Sequence, residues 1–124
     1  MTGSRRRRAG FLVALAAASF AGVACGRNHE TIGNPDRGKQ LITQYGCTSC
    51  HQIPGIQGPK GSIGPSLQKI ALHPFIAGKV PNTPQNTISW LQNPQASDPA
   101  SAMPNLGLKP DEARDITAYL FTLR

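Results

Sequence analysis

Proline and glycine set the first limit on what this chain can fold into. Between positions 54 and 65 stand Pro54, Gly55, Gly58, Pro59, Gly61, Gly64 and Pro65, and the 124-residue sequence carries 11 prolines and 13 glycines in all. Proline fixes φ and removes a backbone donor, and glycine is costly to order, so no helix or strand can run far. No alternating apolar–polar run is long enough to make a useful strand. Four Phe, two Tyr and one Trp are a thin stock for a core. A small, loop-rich chain of this kind needs a staple: disulfides, a metal or a cofactor. Cys25, Cys47 and Cys50 are three, an odd number that cannot pair off completely. Charged residues make up 15%, so the formal net charge of +7 reflects few acids rather than many bases and argues against a long disordered tail.

Part of that charge is an address. Arg5 to Arg8 form a run of four arginines, an uncharged apolar stretch fills residues 9–24, and polarity begins after Gly22-Val23-Ala24-Cys25. A positive region, an apolar region and a small-residue cleavage site describe a signal peptide over 1–24. The apolar stretch is shorter than the roughly 20 residues that cross a bilayer comfortably, and a retained anchor is the alternative. A nucleic-acid patch is set aside because the apolar block follows the arginines immediately. The end of the segment resembles a bacterial lipobox, with small residues before Cys25, although Gly22 stands where a leucine-like residue is usual. That resemblance implies a diacylated Cys25 and stable membrane attachment through two chains; ordinary cleavage near Ala24, leaving a free thiol, is the alternative. Residues 25–34 then read as a tether. Removing 1–24 takes away four of the thirteen basic residues and none of the six acids, leaving a net charge of +3.

The rest reads as short helices between long loops. Asn34-Pro35-Asp36 is a helix start, and Leu41, Ile42 and Tyr45 give the spacing of a helix over about 35–46. Residues 54–65 are loop, and Ser66 to Leu72 have room for a short helix. Thr83-Pro84 opens another helix carrying Ile88, Trp90 and Leu91, and Pro94 ends it. Residues 94–109 are again loop. Pro110 opens a terminal helix striped by Ala113, Ile116, Tyr119, Leu120 and Leu123, with Lys109 a poor capping residue. The prediction is all-α, three or four short helices, with loops too long for a compact domain unless they wrap a large apolar object that is not polypeptide.

Cys47-Thr48-Ser49-Cys50-His51 names that object. C-x-x-C-H reads as covalent haem attachment. On a helical turn, positions i, i+3 and i+4 share a face. Two thiols there can form thioethers with the porphyrin vinyl groups while the imidazole points at the iron. A zinc site lacks a second ligand pair, a thioredoxin-like redox pair lacks a βαβ context, and a Cys47–Cys50 disulfide is the remaining rival in an exported chain. Met103, the one methionine after the signal segment, lies in the polar loop Ala102-Met103-Pro104-Asn105 rather than on an apolar helix face. A thioether is a soft iron ligand, and His/Met ligation raises the reduction potential. With both axial positions filled by His51 and Met103, outer-sphere electron transfer is better served than oxygen activation. His29 and His73 are the rival ligands.

Gly38 to Ile42, the Cys47–His51 motif, Gly64-Pro65-Ser66-Leu67, Met103-Pro104 and Tyr119-Leu120 together resemble a class I c-type cytochrome over about residues 35–124. Ile76-Ala77-Gly78, Pro81 to Pro84, Trp90-Leu91 and Asn93-Pro94-Gln95 resemble more narrowly the cytochrome c module joined to subunit II of some haem–copper oxidases. The sequence shows no copper-binding domain or paired transmembrane helices, so a stand-alone carrier or accessory module is expected. The resemblance implies the all-α cytochrome c fold, one covalently bound haem c, first and last helices crossing with Gly38 near Tyr119, a Pro65 carbonyl accepting from His51 Nδ1–H, and a Trp90 indole N–H donated to a haem propionate. Trp90 as a plain core aromatic is the alternative.

The function expected is single-electron transfer, not enzymic turnover, between membrane-associated respiratory complexes. Partners would be redox proteins such as a haem–copper oxidase or a quinol-oxidising complex, with no nucleic acid and no small-molecule substrate. The expected place is the periplasmic face of a bacterial inner membrane. Lys60, Lys69 and Lys79 are either steering charges or simply solvated. Two alternatives stand: a fixed electron-entry subunit of a larger complex, and a haem enzyme or gas sensor if Met103 does not bind the iron.

Overall fold

A computed structural model describes residues 31–124. The signal segment 1–24, Cys25, His29 and the first part of the tether lie outside the described residues. At the end of the tether, the Asn34 N–H donates to Asp115 Oδ1 at 2.7 Å, and Gly33 lies so close to the backbone carbonyl of Arg114 and the carboxylate of Asp115 that a Cβ there would have no room.

Helix α1 spans Pro35–Gln44. Asn34 Oδ1 accepts from the N–H groups of Asp36 and Arg37 at 3.0 and 3.1 Å, Pro35 occupies the first position where no donor is needed, and Asp36 faces the positive end of the dipole. The helix stops because Gly46 takes a left-handed φ of 68°, with its N–H returning to Thr43 O at 3.2 Å. Helix α4, Pro110–Leu120, is the C-terminal counterpart. Lys109 offers no capping oxygen, and Glu112 supplies one instead: its Oε2 accepts from the Lys109 N–H at 2.9 Å.

The two helices cross at Gly38. A Cβ on Gly38 would overlap the backbone carbonyl of Asp115 and press on Ile116 N, so only glycine lets the axes come this close. The crossing lies one turn earlier on α4 than the expected position at Tyr119. Tyr119 instead donates its hydroxyl to Pro54 O at 2.8 Å, holding the start of the proline–glycine loop. Around the crossing, Leu41, Ile42, Ile53, Leu91, Leu108, Ala113, Ile116 and Leu120 form the buried core; removing a large apolar side chain such as these from water contributes about 1.5–3 kcal/mol.

Helix α2, Pro84–Gln92, is capped by Thr83, whose Oγ1 accepts from Asn86 N–H at 3.2 Å. The expected stop at Pro94 is also a start. A residue before proline is driven to extended backbone, and Asn93 has φ −153° and ψ 83°. Pro94 then opens a one-turn helix, α3, Pro94–Ser97, inside the stretch read as loop. Ser66 to Leu72 forms only a 3₁₀ turn at Ile70–Leu72. Strands β1, Phe75–Ile76, and β2, Val80–Pro81, pair antiparallel, Phe75 with Pro81 and Ile76 with Val80. They are too short for any alternation to reveal. Ala77 and Gly78 take φ of 49° and 70° to turn the chain between them. With this hairpin as its only sheet among the described residues, the structure is all-α, and no described helix is long and apolar enough to cross a membrane.

Candidate haem-binding site

Gly46 ends α1 and throws the next residues into a tight turn. Cys47–Ser49 is a 3₁₀ turn, and His51 N–H donates to Cys47 O at 3.0 Å. Cys47, Cys50 and His51 therefore reach one cavity from one backbone turn. Both cysteines are free thiols, half-buried and not joined to each other. Burial pushes the Cys47 thiol up.

The loop after the motif folds back along it. Gly61 N–H donates to Thr48 O at 3.0 Å, Gly64 N–H to Cys50 O at 2.9 Å, and Leu67 N–H to Gln52 O at 2.9 Å. This brings Pro65 O to 2.8 Å from His51 Nδ1. A carbonyl only accepts, so this bond selects the tautomer with the proton on Nδ1 and the Nε2 lone pair free. The imidazole lies against Gly64, where a Cβ would stand 2.7 Å from Nδ1.

Met103 reaches the same cavity from the other end of the chain. Gln95, on α3, donates Nε2–H to Met103 O at 2.6 Å and to Ser101 O at 3.2 Å. Ser101 Oγ accepts from the Met103 N–H at 3.3 Å. The indole N–H of Trp90 points at Met103 Sδ, 3.2 Å away. The resemblance implies a propionate for that N–H; the partner it has within the protein chain is this sulfur. Trp90 is also a core aromatic, 7% exposed.

Neighbouring side chains fix the remaining wall. Asn82 Nδ2 donates to Ile70 O and His73 O at 2.7 and 2.9 Å, and its Oδ1 accepts from the Thr87 hydroxyl at 3.1 Å. Lys79 Nζ lies 3.0 Å from Asp98 Oδ1. It ties the β1–β2 hairpin to the Met103 loop and holds the Asp98 carboxyl below its usual range. Lys60 and Lys69 are exposed, and so is His73, which is not among the cavity residues. Gln95 and Asn82 escaped sequence reasoning as clamps. The Asn93-Pro94-Gln95 run was the available signal, but it gives no direction to an amide.

The cavity measures about 430 Å³, within the range of cofactor pockets. Ile42, Ile53, Leu67, Ile70, Leu91 and Leu120 line it among others. Apolar walls, two thiols on one turn, an imidazole with its free nitrogen selected, and a thioether fit a haem attached through both cysteines. That donor set is soft and nitrogenous, suited to iron. Among the described residues no group of three or more His, Cys, Asp or Glu offers a conventional metal site instead.

Comparison with known proteins agrees. Cytochrome c oxidase subunit 2 of Alkalihalophilus pseudofirmus is 26% identical over 96 residues, which are 77% of this chain and 27% of that protein. The chain thus spans about a quarter of that relative's length. The family model "Cytochrome c" matches residues 35–124, the span from the first residue of α1 to the C-terminus, and the chain belongs to that family.

Proposed function

We propose that this protein is a mono-haem c-type cytochrome that carries single electrons between membrane-associated respiratory complexes. Cys47 and Cys50 would hold the haem through thioethers, and His51 Nε2 and Met103 Sδ would be its iron ligands. The observation that carries the reading is the convergence of four groups on one apolar cavity: Cys47, Cys50, His51 with Nδ1 bonded to Pro65, and Met103 held by Trp90 and Gln95. A haem bound here supplies one-electron chemistry at its iron. The protein's own part is to fix both ligands, keep water out with apolar walls, and set the imidazole tautomer. Ligands held this firmly need little rearrangement when the charge on the metal changes, which favours transfer over substrate binding.

The export signal over 1–24 and an acylated Cys25 would place the domain on the periplasmic face of an inner membrane, with 25–34 as its tether. Donor and acceptor are redox proteins such as a haem–copper oxidase or a quinol-oxidising complex, met through small, weak interfaces. The likeness to an oxidase subunit favours a second reading, a fixed electron-entry subunit. A pyridine haemochrome assay with a reduced-minus-oxidised spectrum on protein purified from membranes tests both. One haem per chain on a monomer released by mild detergent supports the carrier. Constant stoichiometry with an oxidase supports the subunit, and absence of haem overturns both.

A further inference from the structure

We propose that the far side of the Cys47–His51 turn carries a second binding site, for a small carboxylate with a short aliphatic chain. The proline–glycine run points to it. Such a loop is expected to wrap the cofactor, yet none of residues 54–62 lines the haem cavity, whose wall passes from Ile53 directly to Ile63. Pro54, Ile56, Pro59 and Lys60 line a second cavity instead, of about 200 Å³. It is smaller than the pockets that take drug-sized ligands and suits a molecule of a few non-hydrogen atoms. Two glycines draw the loop down against the motif to form it. Gly61 N–H donates to Thr48 O at 3.0 Å, and a Cβ on Gly61 would overlap the Ser49 carbonyl. Gly58 has a φ of 147°, and a Cβ there would stand 2.7 Å from Thr48 Oγ1.

The lining is made of donors. Thr48 is only 6% exposed, and it lines this cavity but not the haem cavity. Its hydroxyl has no hydrogen-bond partner among the described residues, whereas every side-chain polar atom sealed from solvent there has one. The hydroxyl therefore opens onto the cavity. Lys60 has no acidic partner among the described residues, and no Asp or Glu lines the space. Gln52 and Gln68 add side-chain amides, and Ser66 Oγ accepts from Gln68 N–H at 3.3 Å while keeping its own O–H to donate. An ionised carboxylate only accepts, and its single charge matches the single lysine. Ile53 and Ile56 give an aliphatic chain an apolar wall. Inorganic phosphate has nothing to lay against that wall.

The position of the ligand gives it an electrical effect. Thr48 stands between Cys47 and Cys50, and Ile53 lines both cavities. A negative charge bound this near the motif favours ferric over ferrous iron, so occupancy lowers the reduction potential. That consequence rests on the haem reading of the main cavity; the binding itself does not.

The test titrates butyrate, acetate, butyramide and inorganic phosphate into the purified full-length protein. Calorimetry and the amide shifts of Thr48, Gly58 and Gly61 report binding, and redox titration reports the potential. Butyrate should saturate a single site. It should bind more tightly than acetate, which lacks the chain, and than butyramide, which lacks the charge. Lys60→Gln should weaken butyrate about tenfold and the isosteric Thr48→Val about fivefold, with the absorption spectrum unchanged in both. Saturating butyrate should lower the potential. Shifts that never saturate, or equal butyrate affinity in wild type and Lys60→Gln, overturn the inference. Saturation by phosphate but not by butyrate overturns the carboxylate assignment. Butyrate binding at an unchanged potential upholds the site and overturns its coupling to the iron. A protein found without haem overturns the proposed function, while the butyrate titration still decides this inference.

Discussion

Gly38 on α1 lies against the backbone carbonyl of Asp115 on α4, with no space between them for a methyl group. This contact sets the distance between the first and last helices, and with it the floor of the cavity, because Ile42 and Ile116 flank the crossing and line the pocket. In Gly38→Ala two effects oppose each other. Helix propensity favours alanine by about 1 kcal/mol, whereas overpacking costs about 1–3 kcal/mol. The opposing atom is backbone and cannot swing aside, so the clash wins. Denaturant unfolding should show a lower midpoint for the variant; a higher one would place the crossing elsewhere.

The same pair of helices carries part of the acid sensitivity. The hydrogen bond from Arg37 holds the Asp111 carboxyl below its ordinary range. The Lys109 N–H, and after it the Tyr45 hydroxyl, do the same for Glu112. A carboxylate with a depressed native pKa lends stability that is fully present above its unfolded value, about pH 4. That stability is lost as pH falls through the native value. The Tyr45 phenol is raised, chiefly by its bond to Glu112. Its contribution is present below about pH 10 and lost as pH rises through the native pKa. Glu112→Gln should therefore flatten the stability profile at both ends, as read by urea unfolding across pH. A profile parallel to wild type would show that these bonds are not coupled to folding.

His51 depends on two neighbours in different ways. Pro65 contributes only its carbonyl, which every residue has. Gly64 contributes the absence of a side chain. Pro65→Ala should leave the ferric low-spin spectrum close to wild type. Gly64→Ala should displace the imidazole and produce a high-spin fraction at unchanged haemochrome yield. Equal spectra in the two variants would mean that the ring is not seated as described.

Attachment at Cys25 has its own readout. Intact-mass analysis of membrane-purified protein should give a mature N-terminus at Cys25 carrying acyl chains, and Cys25→Ser should move the protein to the soluble periplasmic fraction. An unmodified N-terminus at another residue would replace the lipid by simple export.

Much of the framework was legible because it rests on local rules. Asn34-Pro35-Asp36 and Thr83-Pro84 start helices by capping chemistry that needs no tertiary partner, and the proline–glycine run had to be loop. What stayed hidden depends on contacts distant in sequence or on single side-chain directions. Pro94 reads equally as a stop or a start, and only the turn at Asn93 shows that it is both. The β1–β2 hairpin has two-residue strands, below the length at which a pattern exists. Lys79 looked like a free surface charge until the loop after α3 brought Asp98 to it. Trp90 was legible as a residue of the site, but a sequence does not say where an indole N–H points.

The central claim is that Met103, together with His51, would ligate the iron of a haem attached through Cys47 and Cys50. Carbon monoxide titration of the ferrous protein at neutral pH tests it most directly, with Met103→Ala beside it. The wild type should show no binding at stoichiometric gas while Met103→Ala binds readily and has a lower potential. Rapid stoichiometric binding by the wild type would contradict the account and make the site an open one, built for a ligand rather than for an electron.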